Sequence, residues 1–174
     1  MGALSEQELI DCASSCYGCN GGLPTKAIQY VIENQNGHFD QQYLYPNRYK
    51  QEVCKYDSSH DVSLVTGYVQ VKSGDEEELK EKIATIAPVS ILIDSSPWSF
   101  VYYQSGVYND AKCSKIFIDH AVALVGYGID ENNVDFWILR NSWGTKWGEE
   151  GYIRMIRGSN QCGEATFATC IISE

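Results

Sequence analysis

His120 and Asn141, in a chain that also carries seven cysteines, are the residues whose types could do chemistry. An imidazolium beside a cysteine depresses the thiol pKa, so that a nucleophilic thiolate exists at neutral pH. An amide oxygen behind the imidazole fixes its tautomer and the orientation of its ring. His120 follows Asp119 and opens the apolar run Ala121-Val122-Ala123-Leu124-Val125, and Asn141 opens Asn141-Ser142-Trp143-Gly144. Without further context, a histidine at the edge of an apolar strand is more often a packed structural residue than a base. The cysteines also admit metal chemistry, with Cys12, Cys16 and Cys19 close together. A tetrahedral zinc site would need His38, His60 or Cys54 as fourth ligand, at no standard spacing. No metal or other cofactor is expected.

The elements that must position these residues are legible from pattern. Ser5-Glu6-Gln7-Glu8 has the form of a capping box, in which the Ser5 hydroxyl and the Glu8 carboxylate satisfy each other's amides. It predicts a short helix to about Cys12. Residues 16–22 read as a loop. Pro24 suits the first turn of a second helix with Ile28, Val31 and Ile32 on one face, ended by Asn36-Gly37. Residues 39–59 read as a long ordered loop held by Cys54. Residues 62–71 alternate well enough for a strand. A third helix is predicted over 75–86, with Leu79, Ile83 and Ile86 inward and Pro88 as its stop. Candidate strands then cover 89–93, 121–127, 136–140, 152–156 and 167–172. Helices first and strands after argue for an α+β protein with a partly closed antiparallel sheet.

Composition narrows the partners. The chain has 174 residues, 44% of them hydrophobic, and a net charge of −10, the signature of an ordered polyanion. Such a chain repels nucleic acid and anionic membrane surfaces, so neither is an expected partner. Its apolar runs are too short to span a bilayer. Seven cysteines suggest an oxidising compartment, and the odd number leaves at least one thiol free or paired outside the chain. No basic segment followed by an apolar stretch comes after Met1-Gly2-Ala3, so no signal peptide is expected there.

Leu4-Ser5-Glu6-Gln7-Glu8-Leu9-Ile10-Asp11-Cys12, Tyr17-Gly18-Cys19-Asn20-Gly21-Gly22, Pro88-Val89-Ser90, the histidine strand, Asn141-Ser142-Trp143-Gly144 with Trp147-Gly148, and Gly151-Tyr152-Ile153-Arg154 follow one another along nearly the whole chain. Each is a weak signal. Together, in this order, they resemble the papain-like (cathepsin-type) cysteine proteases. The resemblance implies a papain-like two-lobe fold, with an incomplete helical part over about 1–68 and a mainly β lobe, an antiparallel barrel-like sheet, over about 69–174.

By that resemblance His120 is the catalytic imidazole, Asn141 supplies the orienting amide, and Trp143 shields their hydrogen bond from water. Gly21 and Gly22 correspond to the backbone edge that holds a peptide as an added strand. Leu23, Pro24, Leu92, Ile118 and Ala121, with the neighbouring Asp119, match positions around the substrate. Phe167 matches the floor of the apolar pocket for the second residue before the cut bond, which its bulk would shorten. Cys12 with Cys54, and Cys113 with Cys162, resemble disulfide pairs of the family. Cys19 resembles the partner of a cysteine in an N-terminal segment. Cys16 and Cys170 have no counterpart there and stay open: they pair with each other, or Cys16 pairs with Cys19.

The family's nucleophilic cysteine lies roughly 130–150 residues before its histidine, and no Cys-Gly-Ser-Cys-Trp-type segment occurs in this chain. No other cysteine is expected to replace it. The chain therefore reads as the histidine- and asparagine-bearing part of a cysteine endopeptidase, inactive alone. Exposed apolar side chains cost roughly 1.5–3 kcal/mol each. Lacking the nucleophile helix, the chain is expected to be marginally stable. The expected partners are peptide or protein substrates, with a pro-segment or cystatin-like inhibitor also implied. The implied setting of the parent protein is lysosomal, vacuolar or extracellular. The competing reading is a truncated, non-catalytic homologue that binds peptides or inhibitors without cleaving them, and a third is a chain with no function of its own.

Overall fold

A serine hydroxyl starts the first helix. In the computed structural model, which describes residues 3–60, 62–86 and 88–173, α1 spans Glu6–Cys12 and Ser5 Oγ accepts from the Glu8 amide at 3.0 Å. The return half of the predicted capping box is replaced by an exchange with Asp40. Ser5 N–H donates to the Asp40 carbonyl at 2.9 Å, and Asp40 N–H donates to Glu8 Oε2 at 2.7 Å. A distant loop thus supplies what the box would have supplied locally. Met1 and Gly2, read above as opening no signal sequence, lie outside the described residues.

The chain divides into two compact units, Met1–Tyr68 with Ile171–Glu174 and Val69–Cys170. In the first, α2 spans Pro24–Asn34 and buries Ile28 and Val31, which pack with Phe39 and Val65. Gly37, at φ 83°, turns the chain after α2, and a side chain there would meet the Val65 carbonyl at 2.2 Å. Val65 itself opens β1, Val65–Gln70, which is shorter than the predicted strand. The long loop after α2 is held by α1. Gln7 accepts from Arg48 N–H and donates to the Lys50 carbonyl, Asp11 accepts from Glu52 N–H and from the Tyr45 hydroxyl, and Cys12 is bonded to Cys54. Burial, reinforced by Asp11, pushes the Tyr45 hydroxyl up to about 12, so it stays a donor.

In the second unit, α3 spans Glu76–Thr85, and Asp75 caps it by accepting from the Glu78 amide at 3.0 Å. Leu79 is fully buried and Ile83 packs on the core. The predicted inward Ile86 is instead exposed, because the helix ends one residue before it. The strands are β2 Val89–Ile93, β3 Val107–Tyr108, β4 His120–Ile129, β5 Asp135–Arg140, β6 Tyr152–Ile156 and β7 Ala168–Ser173. Hydrogen-bonded neighbours run β7-β2-β4-β5-β6-β3. All these pairs are antiparallel except the last, where β3 joins β6 in parallel. Neither β3 nor the short helix α4, Trp98–Val101, is predicted by periodicity; both are too brief to show any. Alternation puts Val89, Ile91, Ile93, Leu124, Leu139 and Ile153 into one core with Trp137 and Phe100.

Candidate active site

The register of β2 against β4 builds the frame: Ile93 stands opposite His120 and Leu92 opposite Ala121. Asp119 N–H donates to the Ile93 carbonyl at 3.0 Å, extending the pairing by one residue. Side chains then clamp the loops on either side. Asp119 Oδ1 accepts from both the amide and the hydroxyl of Ser95, at 2.8 and 2.9 Å. Asp94 accepts from Ser96 N–H and hydroxyl on Oδ1 and from Ser114 N–H on Oδ2. Burial alone would raise the Asp94 carboxyl, but these bonds prevail and hold it below its ordinary value.

Asn141 follows the last residue of β5, and its own amide donates to the Gly151 carbonyl at 2.9 Å. Its side-chain Oδ1 faces His120 Nε2 at 2.8 Å and accepts from the Ser142 amide at 2.8 Å. A backbone amide only donates, so the atom facing Ser142 is the oxygen, and the nitrogen facing it from His120 must carry the hydrogen. In the neutral ring Nδ1 is then the free base. Asn141 Nδ2 is buried without a partner among the described residues, a cost of about 1–3 kcal/mol that this orientation carries.

Trp143 lies over the imidazole, with ring centroids 5.2 Å apart and planes 30° from parallel. It is held from behind by Phe100 and Trp147, edge-on at 5.5 and 5.4 Å. Trp147 is fixed in turn by its indole N–H on the Val101 carbonyl at 3.0 Å. Gly148, at φ 57°, lets the chain turn after Trp147 where a side chain would meet the Tyr152 carbonyl at 2.5 Å.

The other predicted residues fall into two groups. In the second unit Leu92 donates its amide to the Phe167 carbonyl at 3.1 Å, and Ile118 sits so close to Gly163 that a Cβ there would lie 3.1 Å from its Cγ2. Leu92, Ile118, Ala121 and Phe167 are thereby gathered around the end of β2 that faces His120. Phe167 is 47% exposed. In the first unit Gly21, Gly22, Leu23 and Pro24 form one stretch that leaves the Gly18–Asn20 turn and enters α2. The Gly21 carbonyl accepts from Tyr17 N–H at 2.8 Å, and a side chain at Gly22 would meet Cys16 Sγ at 2.6 Å.

Cys113 is bonded to Cys162. Cys16, Cys19 and Cys170 carry free thiols, so neither open pairing among them is formed. Cys170 is fully buried in β7, and burial pushes its thiol up, away from thiolate formation. Cys12 and Cys54, two of the ligands a zinc site would have drawn on, spend their sulfurs on each other. Among the described residues no three metal-ligating side chains are grouped to hold an ion, and no helix is long and apolar enough to cross a membrane.

Pattern reading misses Ser95, Ser114 and Phe100. Only Asp94-Ser95-Ser96 carries a local signal, since an aspartate two residues before an amide forms such turns readily.

Comparison with known proteins gives a consistent answer. The family described as papain family cysteine protease matches residues 1–172. Cathepsin L of Sarcophaga peregrina is 45% identical over 167 residues, covering 94% of this chain and 49% of that protein. Digestive cysteine proteinase 1 of Homarus americanus is 45% identical over 170 residues, covering 95% of this chain and 52% of that protein. Among solved structures, digestive procathepsin L 3 of Tenebrio molitor larval midgut superposes with a TM-score of 0.91 at 38% identity, over 98% of this chain and 56% of that one. The bromelain protease of Ananas comosus, solved with the inhibitor E64, superposes at 0.89 and 34% identity, over 100% of this chain and 80% of that one. The chain spans about half the length of the curated relatives it matches.

Proposed function

The chain belongs to the papain family of cysteine proteases, and from that premise we propose that it supplies the base, the orienting amide and part of the peptide-binding surface of a cysteine endopeptidase. The observation that carries the reading is the 2.8 Å contact of His120 Nε2 with Asn141 Oδ1 beneath Trp143. It leaves Nδ1 as the nitrogen that takes the proton from a thiol. The thiolate then adds to the scissile carbonyl carbon, and the imidazolium returns its proton to the departing amine. Water, deprotonated by the same nitrogen, opens the thioester and regenerates the thiol.

The thiol and the oxyanion donors come, on this reading, from a Cys-Gly-Ser-Cys-Trp-type segment outside these 174 residues. Gly21 and Gly22 hold the substrate backbone. In the second unit Leu92, Ile118, Ala121 and Phe167 line the place of one apolar substrate side chain, with Asp119 beside them; in the first unit Leu23 and Pro24 continue the Gly21-Gly22 edge as apolar surface. The two units are the family's two lobes. Peptides and proteins are the substrates, and a pro-segment is a partner, supported by solved relatives that are proenzymes by name. A cystatin-like inhibitor is a further partner on the same reading. The setting is lysosomal, vacuolar or extracellular, supported by digestive relatives and by two disulfides.

The test is reconstitution. The purified chain should not hydrolyse a fluorogenic dipeptide substrate alone. Adding the nucleophile segment in trans should produce turnover that a thiol-reactive epoxide blocks. Turnover by the chain alone, surviving Cys16→Ser and Cys170→Ser, would overturn the assignment of the nucleophile; a stable reconstituted complex that binds peptide without cleaving it would favour a binding role.

A further inference from the structure

Glu164 follows the Gln161–Gly163 turn, and its side chain is fully buried. Neither carboxyl oxygen has a hydrogen-bond partner among the described residues. A carboxyl group so placed keeps its proton, because an isolated buried charge is far costlier than a buried neutral acid.

Its surroundings reinforce this. On one side the loop before α3 packs against it, with Gly74 N–H on the Ala165 carbonyl at 2.8 Å. That side brings the Glu76 carboxylate, which already accepts from the Trp137 indole and from the amides of Gly158 and Asn160. An ionised Glu76 has no proton to donate, and its charge opposes a second one nearby. On the other side the loop before β4 packs, with Thr166 Oγ1 on the Lys115 carbonyl at 2.9 Å. That loop brings the Lys115 ammonium, a weaker and opposite influence. The amides of Gln161 and Glu164 also favour ionisation slightly without reaching hydrogen-bond geometry. Strand β2 and the Gln161–Gly163 turn contribute no charged side chain. Burial first and Glu76 second move the Glu164 carboxyl from its ordinary 4.5 up to about 9.

We infer that Glu164 is a pH-sensitive element built into the second unit, a neutral acid in the fold that favours acidic surroundings and loosens the 160–167 segment as pH rises. That segment also carries Gly163, on which Ile118 rests, and the Phe167 carbonyl, which receives Leu92 N–H. The inference concerns stability and does not depend on the proposed hydrolysis.

The sign follows from linkage. The unfolded chain ionises Glu164 near 4.5, whereas the folded chain holds the proton up to about 9. Below that window the group adds no pH dependence; through it, each pH unit lowers the folding equilibrium constant by up to about tenfold; above it the loss levels off. All four tryptophans, Trp98, Trp137, Trp143 and Trp147, lie in the second unit, so their fluorescence during urea unfolding reports on it.

Unfolding should be followed from acidic to alkaline pH for the wild type, Glu164→Gln and Glu164→Leu. Relative to the variants, the wild type should lose stability steadily across the window. Parallel pH profiles would overturn the inference. If Glu164→Leu fails to fold, the near-isosteric Glu164→Gln decides alone. An infrared difference spectrum of wild type against Glu164→Gln at neutral pH gives an independent reading. A protonated-acid carbonyl band present only in the wild type is expected, and a carboxylate band in its place would overturn the proposal.

Discussion

The two units solve the problem of positioning by different means. In the second, strand register does it: Ile93 opposite His120, with Val89, Ile91 and Ile93 turned to a core that holds Trp137 and Leu139. His120 sits on β4 and Asn141 one residue beyond β5, strands whose alternate residues are locked by packing. The first unit has a smaller apolar cluster around Val31 and Phe39. It holds its long loop with polar side chains of one helix, Gln7, Glu8 and Asp11, bonded to loop backbone. The group that must be oriented to a fraction of an ångström is placed on the sheet. The Gly21-Gly22 edge, proposed to meet many peptides, is placed on a loop.

This contrast is tested most strongly by activity in the reconstituted protein. His120→Ala should abolish turnover, and Asn141→Ala should lower kcat by less, since removing a proton-transfer group costs about 10²–10⁴-fold and Asn141 only orients it. On the first unit, Gly22→Ala should act differently. Its new methyl would lie 2.6 Å from Cys16 Sγ and must displace the edge, which should raise KM more than it lowers kcat. Cys16→Gly in the same chain should restore part of the loss. A kcat effect from Gly22→Ala as large as that from Asn141→Ala would erase the division between binding edge and chemical centre.

The second contrast concerns the disulfides. Each closes a loop of more than forty residues, separations of 42 and 49, and is worth about 3–4 kcal/mol in the chain-entropy model. Replacing Cys113 and Cys162 by serine should lower the urea midpoint seen by tryptophan fluorescence, because that bridge lies inside the tryptophan-bearing unit. Replacing Cys12 and Cys54 should instead speed hydrogen exchange in the 40–55 loop and leave the fluorescence midpoint nearly unchanged. Equal fluorescence shifts from both pairs would mean that the two units unfold together.

What could be read from sequence follows the same division. The strands at 89–93 and 152–156 were legible because their side chains alternate between core and surface, and periodicity is a report of that alternation. Ile86 misled because helical spacing continues one residue past the point where the helix stops. The capping box was half right: the Ser5 bond is local, but the partner of Glu8 is Asp40, in the loop that follows the second helix and beyond any local pattern. At the site, His120 and Asn141 were marked by their motifs. The Ser95–Asp119 clamp was not, since it joins residues separated by 24 positions through a register known only after folding.

The smallest contrast compares two helix caps. Ser5 and Asp75 each accept from the amide three residues on, at 3.0 Å, and an alanine at either position removes that bond. In isolation such a loss costs about 0.5–2 kcal/mol. The two sites differ in what else the side chain does. Ser5 is buried, and its hydroxyl also donates to the Tyr45 carbonyl at 2.8 Å. Ser5→Ala therefore strands both the Glu8 amide and a buried carbonyl of the loop, and should cost near the upper end of that range. Asp75 is partly solvated, so water can replace it at the Glu78 amide. Glu76, Glu77 and Glu78 in the first turn also keep a favourable interaction with the helix dipole. Asp75→Ala should cost about 1 kcal/mol or less. Urea unfolding followed by circular dichroism for the first unit and by fluorescence for the second would measure both. An Asp75→Ala loss that equals or exceeds that of Ser5→Ala would show that the polar network of the first unit holds its loop less firmly than its geometry implies.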